Sequence, residues 1–347
     1  MRRLNASLQL LAPCALVVLV GLGGRATTAG TQTEVWNALV NVAIVVGLYV
    51  FVGNSGVLSF GQISFVAVGA FAAGLLTVDP TVKPNVLPGL WPFLAHHSIG
   101  NVPSLLLAAA LGGVFAFLVG LPLMRLSGLA AGIATFAVLE ITHNVLRNWT
   151  KIGPGATTLA LVPGTTTFAQ ATLGALIAVV VAFCYQQSRF GRQLRATRED
   201  PAAARAAGID IHRQRLLAFT LSGALCGFAG GLLVHLLGSI DTEQVYLDLT
   251  FLTLAMLVVG GAQSLFGAVV GALGVSLLDT FLGNAENTVH VLGLRLHLPG
   301  GSRLVGVAAA MLVVLVLRPS GLTGGREFSL RLPRRLRAPR AQAPEPR

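Results

Sequence analysis

Charge is scarce in this sequence. Only 11% of its 347 residues are Asp, Glu, Lys or Arg, where soluble domains carry roughly 25%. Lysine is almost absent, with Lys83 and Lys151 the only two. Neither follows a glycine, so the G-x-x-x-x-G-K loop that cradles nucleotide phosphates is missing. The chain is not itself the usual kind of ATPase. Cysteine is rare as well. Cys14, Cys184 and Cys226 sit inside apolar runs with no metal-ligand spacing between them, and read as packing residues. No metal site is expected.

What is abundant is apolar side chain and glycine. Hydrophobic residues make up 54% of the chain and 41 residues are Gly; the mean hydropathy is +0.76. Apolar runs recur between short polar stretches, the pattern of an all-α polytopic membrane protein. A spanning helix needs about 20 mostly apolar residues. Ten spans are predicted, at 8–24, 35–52, 63–78, 104–124, 128–146, 168–185, 216–237, 249–262, 265–282 and 303–317. The first follows Arg2 and Arg3 as a signal peptide would, but no small-x-small cleavage site comes after it. The organisation is thus a membrane domain over 1–317, with a polar loop at 188–215, and a basic tail over 318–347.

Basic residues set the orientation, since Lys and Arg concentrate in cytoplasmic loops. With ten spans and both termini inside, 18 of the 24 fall on the cytoplasmic side: Arg2, Arg3, Arg125, seven in 188–215, and eight from Arg318 onward. The net charge of +11 is then mostly topological. No soluble domain is left to carry nucleic acid. The tail, with eight Arg and five Pro, is expected to be unfolded. It either rests on anionic lipid or simply anchors the topology.

The stretch "SRFGRQLRATREDPAAARAAGIDIHRQR" (188–215) holds seven arginines and three acids. Within it, Asp200 suits a helix N-cap and Pro201 the first helical position. "AAARAA" favours helix, and Gly208 can end it in the left-handed conformation. A helix of about two turns follows, bare except for Arg205. Two readings stay open: a helix that packs into a partner's groove, or an incidental helix in a positive-inside loop.

Other features also carry two readings. "GNSGVLSFGQ" (53–62) interrupts an apolar run; Gly53, Gly56 and Gly61 loosen it, and Asn54, Ser55, Ser59 and Gln62 can hydrogen-bond. A broken helix could bind a substrate carboxylate, or this could be a short turn. Glu140 and His143 share a helix face near its outer end. Glu140 is a candidate for a substrate route; His235 and Asp279 are weaker ones. Gly223, Gly227 and Gly231 stand four apart, as do Gly267 and Gly271, making small-residue seams for helix packing. "GNSG" also matches a G-x-S-G of rhomboid-type intramembrane proteases, and an ion-coupled secondary transporter fits the composition. Both remain competing readings.

Several collinear blocks carry a family resemblance: "SGVLSFGQISFVAVGAFAAGLL" (55–76), "GLPLMRLSGLAAGIATFAVLEI" (120–141), the polar loop with "LLAFTLSGALCGFAGGLL" after it, "LVVGGAQSLFGAVVGALG" (257–274) and "RPSGLTG" (318–324). Over roughly 35–325 the chain resembles the permeases of branched-chain amino acid ABC transporters, most of all the longer of two paired subunits; urea and short-amide permeases are relatives. The resemblance implies a sister permease, two ABC ATPase subunits holding ATP and Mg, an extracytoplasmic substrate-binding protein, and residence in the inner membrane. It implies no cofactor on this chain and no catalysis. It also implies that the 188–215 loop docks on the ATPase through a Glu-Ala-Ala-x-x-x-Gly-like element. Ala202, Ala203, Ala204 and Gly208 match that spacing. Ala202 stands where the family has glutamate, so Glu199 or Asp200 would have to supply the acid.

Overall fold

The computed structural model describes residues 2–327 except 26–28, 88, 287–288, 292–293, 297–298, 300, 319 and 326. The helices are α1 (Arg2–Arg25), α2 (Ala29–Ser55), α3 (Gln62–Thr77), α4 (Lys83–Val86), α5 (Pro92–His96), α6 (Asn101–Leu123), α7 (Gly128–Asn148), α8 (Phe168–Gln187), α9 (Arg189–Glu199), α10 (Pro201–Ala206), α11 (Ile211–Leu237), α12 (Leu247–Gly260), α13 (Leu265–Glu286) and α14 (Ser302–Leu317). One short antiparallel hairpin, β1 (Val289–Val291) with β2 (Leu294–Leu296), precedes α14.

Each of the ten predicted spans coincides with a helix. Among the described residues, seven are long and apolar enough to cross a membrane: α1, α2, α6, α7, α8, α11 and α13. The other three are shorter. At about 1.5 Å per residue, the 14 residues of α12 rise about 21 Å, and the 16 each of α3 and α14 about 24 Å. A hydrocarbon core is about 30 Å thick. These three are shorter than the usual crossing, so seven of the ten apolar helices reach spanning length by themselves.

Hydrogen bonds between loops sort the helix ends into two sets. Arg198 reaches Gly53, Arg215 reaches Leu126, and Gln186 reaches Glu327. The turns at 56–61, 124–127, 261–264 and 318–325 therefore share one end with the 188–215 loop, here called proximal. The connections at 78–87, 89–100, 149–167 and 238–246 lie at the opposite, distal end. Successive helices run up and down between the two.

The bundle is built around α11, which packs on α6, α3 and α2. Small residues set how close these helices come. A Cβ on Gly227 would lie 2.4 Å from the Ala108 carbonyl oxygen, and one on Gly223 2.2 Å from the Ala116 methyl. Gly231 faces Leu105, Ala108 and Ala73. Gly267 and Gly271 perform the same task between α13 and α12: a Cβ on Gly271 would lie 2.0 Å from the Met256 oxygen. Both seams are internal to this chain. Phe51, Phe219, Phe65 and Phe115 fill the adjoining core with edge-on contacts, their ring centroids 5.0 to 5.7 Å apart. Ser222 on α11 donates to the Gly47 carbonyl of α2 at 2.7 Å, satisfying a hydroxyl that would be costly to bury alone.

Distal loops are pinned by polar groups. Lys83, fully buried, donates through Nζ to the carbonyls of Leu94 (3.1 Å) and His97 (2.6 Å). Burial lowers its pKa from the ordinary lysine value. His235 bonds Ser104 Oγ at 3.1 Å and the Pro163 carbonyl at 3.2 Å. Asp279 pairs with Arg303. Both side chains are thus engaged in packing helices and loops.

Residues 318–325 differ from the expectation of an unfolded tail. The Leu322 N–H donates to the Val259 carbonyl at 2.8 Å, and Thr323 Oγ1 to that of Gly260 at 2.8 Å. Residues 328–347 of that tail lie outside the described residues.

Candidate functional site

The proximal end carries the polar loop, and its chain is folded into two short helices. Ser188 Oγ accepts from the Gly191 N–H at 3.1 Å and starts α9. A Cβ at Gly191 would lie 2.2 Å from the Tyr185 oxygen, so this sharp reversal from α8 needs glycine. Leu194 and Thr197 of α9 are buried against the bundle, while Arg189 and Arg192 lie on its outer side. Gln214 of α11 donates to Gln193 at 3.1 Å, fastening α9 from a second side.

Helix α10 projects beyond it. Asp200 Oδ1 accepts from the N–H groups of Ala202 (2.8 Å) and Ala203 (3.0 Å). Gly208 has φ +76°, and the Ile209 N–H closes the helix on the Ala204 carbonyl at 3.0 Å. Ala204 is buried; Ala202, Ala203, Arg205 and Ala206 face outward. The result is a capped, outward-facing turn of backbone and methyl groups with Arg205 as its one charge, a shape suited to a close-fitting cleft. The two acids proposed to replace the missing glutamate are both engaged. Asp200 is spent on the cap. Glu199 pairs with Arg198 at 2.6 Å, though its side chain remains 71% exposed.

Arg198 was not singled out from the sequence, yet it joins this loop to the 53–62 stretch. Its Nη1 donates to the Gly53 carbonyl at 2.7 Å, and its stem covers Gly56, where a Cβ would lie 2.7 Å from Arg198 Cγ. Gly56 has φ +70°, so glycine serves both the turn and the contact. Gly53, Asn54 and Ser55 continue α2 to its end, and the interruption proper is 56–61, a turn at the proximal end. Its polar side chains are nevertheless buried. Among the described residues, Asn54 Oδ1, Ser59 Oγ, both amide atoms of Gln62 and Ser64 Oγ find no hydrogen-bond partner. Gly61 lies against Thr135, whose Oγ1 accepts from the Phe60 N–H at 3.2 Å. Several buried unpaired groups in one short stretch are unusual, because each costs about 1–3 kcal/mol unless water or a ligand meets it.

Glu140 belongs to a different cluster, in the distal half of α7. It accepts from the Tyr246 hydroxyl and from Asn144 Nδ2, the latter at 2.7 Å. His143 stacks on Tyr246 with centroids 3.9 Å apart, and Glu243 bonds Arg147 at 2.8 Å. Glu140 also borders an open groove of about 460 Å³ with Ile141, Asn144, Val145, Asn148 and Trp149. The structure therefore does not bring Glu140 together with 53–62. Tyr246 and Glu243 were invisible to sequence reasoning because they lie about a hundred residues from α7. Among the described residues, no group of three His, Cys, Asp or Glu could hold a metal ion.

A family model described as branched-chain amino acid transport system / permease component matches residues 36–317. The high-affinity branched-chain amino acid transport system permease protein LivM of Escherichia coli is 27% identical over 293 residues, or 75% of this chain. The probable branched-chain amino acid transport permease proteins LivH and LivM of Methanocaldococcus jannaschii are 27% and 28% identical. These two matches cover 82% and 78% of this chain, and 88% and 86% of those proteins. The chain covers 65% and 59% of the lengths of the Escherichia coli and Salmonella typhimurium LivM proteins. No solved structure matches it. The long apolar helices make this a multi-pass membrane protein. These relatives are named as transport permeases, and the chain belongs to the family of branched-chain amino acid transport system permease components.

Proposed function

We propose that this chain is one permease subunit of an ATP-driven importer for branched-chain amino acids in the inner membrane. The family match supports the class, and the capped, outward-facing α10 is the observation that supports the mechanism. The chain pairs with a sister permease, two ATPase subunits bind the proximal face, and a substrate-binding protein delivers to the distal face. ATP and Mg reside on the ATPases. The proximal face is the cytoplasmic one, as the basic residues of the 188–215 loop favour.

On this reading, α10 seats its alanines in a cleft of the ATPase, and Glu199 is the exposed acid beside that contact. Nucleotide-driven closure moves α9 and α10. Arg198 carries the movement to the end of α2, and α11 carries it into the bundle core. The bundle then rocks between two states, as a bistable packed structure does. The buried, unpaired groups of Asn54, Ser59 and Gln62 line the inner part of the route, and Glu140 its outer part.

Gly208→Pro tests this. Proline fixes φ near −65° and cannot adopt the +76° found at Gly208. Reconstituted with its partners, the variant should hydrolyse ATP while losing most uptake, with unchanged amounts of each subunit. Normal uptake by an assembled Gly208→Pro transporter contradicts the proposal. So does wild-type uptake that survives loss of the ATPase and follows an ion gradient, the behaviour of a secondary transporter.

A further inference from the structure

Beyond α14 the chain folds back over the proximal end. Residues 318–325 seat on the turn between α12 and α13, where Leu322 and Thr323 donate backbone N–H groups to Val259 (2.8 Å) and Gly260 (3.2 Å). Gly321, Gly324 and Gly325 all have positive φ. A Cβ on Gly321 would lie 2.6 Å from the backbone of Gly261, so the two strands of backbone touch directly. This is a fitted contact over the only proximal turn that joins α12 to α13.

Glu327 completes it. Its carboxylate accepts from the Leu265 N–H at 2.8 Å and from Ser264 Oγ at 3.2 Å, with the Phe266 N–H at 3.5 Å. It thereby caps α13, whose first turn has no acid of its own. The same carboxylate accepts from Gln186 Nε2 at 2.9 Å, and the buried Tyr49 hydroxyl faces it too. Gln186 lies at the end of α8, and its carbonyl accepts from Arg195 of α9 at 2.7 Å. One carboxylate thus touches α8 and α13 and, through Gln186, the base of the polar loop. Four donors on a single acceptor make a strong, directional joint.

We propose that Glu327 is a positioning residue: it pins residues 318–325 on the α12–α13 turn and ties α13 to the base of the 188–215 loop, so that loop and helix move together. The pin itself stands on geometry alone. Its consequence for transport rests on the proposed coupling role of that loop.

Amide hydrogen exchange and coupling ratio, measured on the full chain assembled with its partners, test the two parts. In Glu327→Ala, exchange at Leu322 and Thr323 should rise about tenfold, because the segment opens more often once its anchor is gone. Glu327→Gln should fall between, as an amide keeps one acceptor. Unchanged exchange in Glu327→Ala overturns the pin. Uptake per ATP hydrolysed should fall several-fold in Glu327→Ala and in Gln186→Leu. A merely structural loss would lower the amount of transporter and leave that ratio alone. Raised exchange with an unchanged ratio overturns the positioning role. If the wild-type complex shows no ATP-driven uptake, the proposed function fails, and the exchange measurement still decides the pin.

Discussion

Gly227→Ala is the sharpest test of how the bundle is held together. The added methyl would lie 2.4 Å from the Ala108 oxygen and 3.1 Å from Gly112 Cα. Ordinary contact is about 3.5–4.0 Å, so α6 and α11 must separate by roughly 1 Å. Forcing atoms into a packed site costs about 1–3 kcal/mol. Replacing glycine in a helix returns about 0.5–1 kcal/mol, leaving a net loss of up to about 2.5 kcal/mol. Gly274→Ala is the control. It lies in a helix with nothing within 4 Å of its Cβ position, so only the helix term of about 0.5–1 kcal/mol applies, with the opposite sign. Trimming Ala108 cannot rescue Gly227→Ala, because the obstacle is backbone. Ala116→Gly should partly rescue Gly223→Ala, where the nearest obstacle is a methyl. Unfolding midpoints of the purified chain in one detergent compare all five variants. A Gly227→Ala protein as stable as Gly274→Ala would refute the close approach of α6 and α11.

Asp200→Ala removes the cap of α10, worth about 1 kcal/mol; amide exchange at Ala202 and Ala203 should rise about fivefold, and Asp200→Asn should retain most protection. Unchanged exchange in Asp200→Ala would mean that the cap does not hold this helix. Arg198→Ala loses a charged bond to the Gly53 carbonyl, about 1.5–3 kcal/mol at most, and should raise exchange across 189–199. Glu199→Gln should leave that exchange within error, since exposed pairs contribute about 0–1 kcal/mol; a large effect would show that the acid, not the bond to Gly53, holds α9.

The helices were legible in the sequence because lipid demands long apolar runs, and each of the ten runs is a helix. Their bounds were nearly so: the 14 residues read at 249–262 return as the 14 of α12 (Leu247–Gly260), set two residues earlier by the turn at 261–264. The ends of α10 could be read locally, since Asp200, Pro201 and Gly208 each have a conformational preference. Helix α9 was missed because its six charged and amide side chains hid the buried pair Leu194 and Thr197; Ser188 was the available signal. Contacts between distant residues were out of reach. Nothing near Glu327 in the chain indicates that it caps a helix 62 residues earlier, and nothing near Arg198 points to Gly53. The arginine count of the loop, conspicuous in the sequence, did not single out Arg195, Arg198 and Arg215, which bond across to other elements. Glycine spacing marked the seams, but only the packed bundle assigns Gly223 and Gly227 to α6, and Gly267 and Gly271 to α12.

The most direct measurement is accumulation of radiolabelled leucine in proteoliposomes that hold this chain, its sister permease and the ATPase, with the binding protein outside and ATP inside. The proposed function requires uptake against the gradient that stops without ATP, without the ATPase, or without this chain. Uptake that persists when this chain is left out, or that proceeds without ATP under an ion gradient, would contradict it.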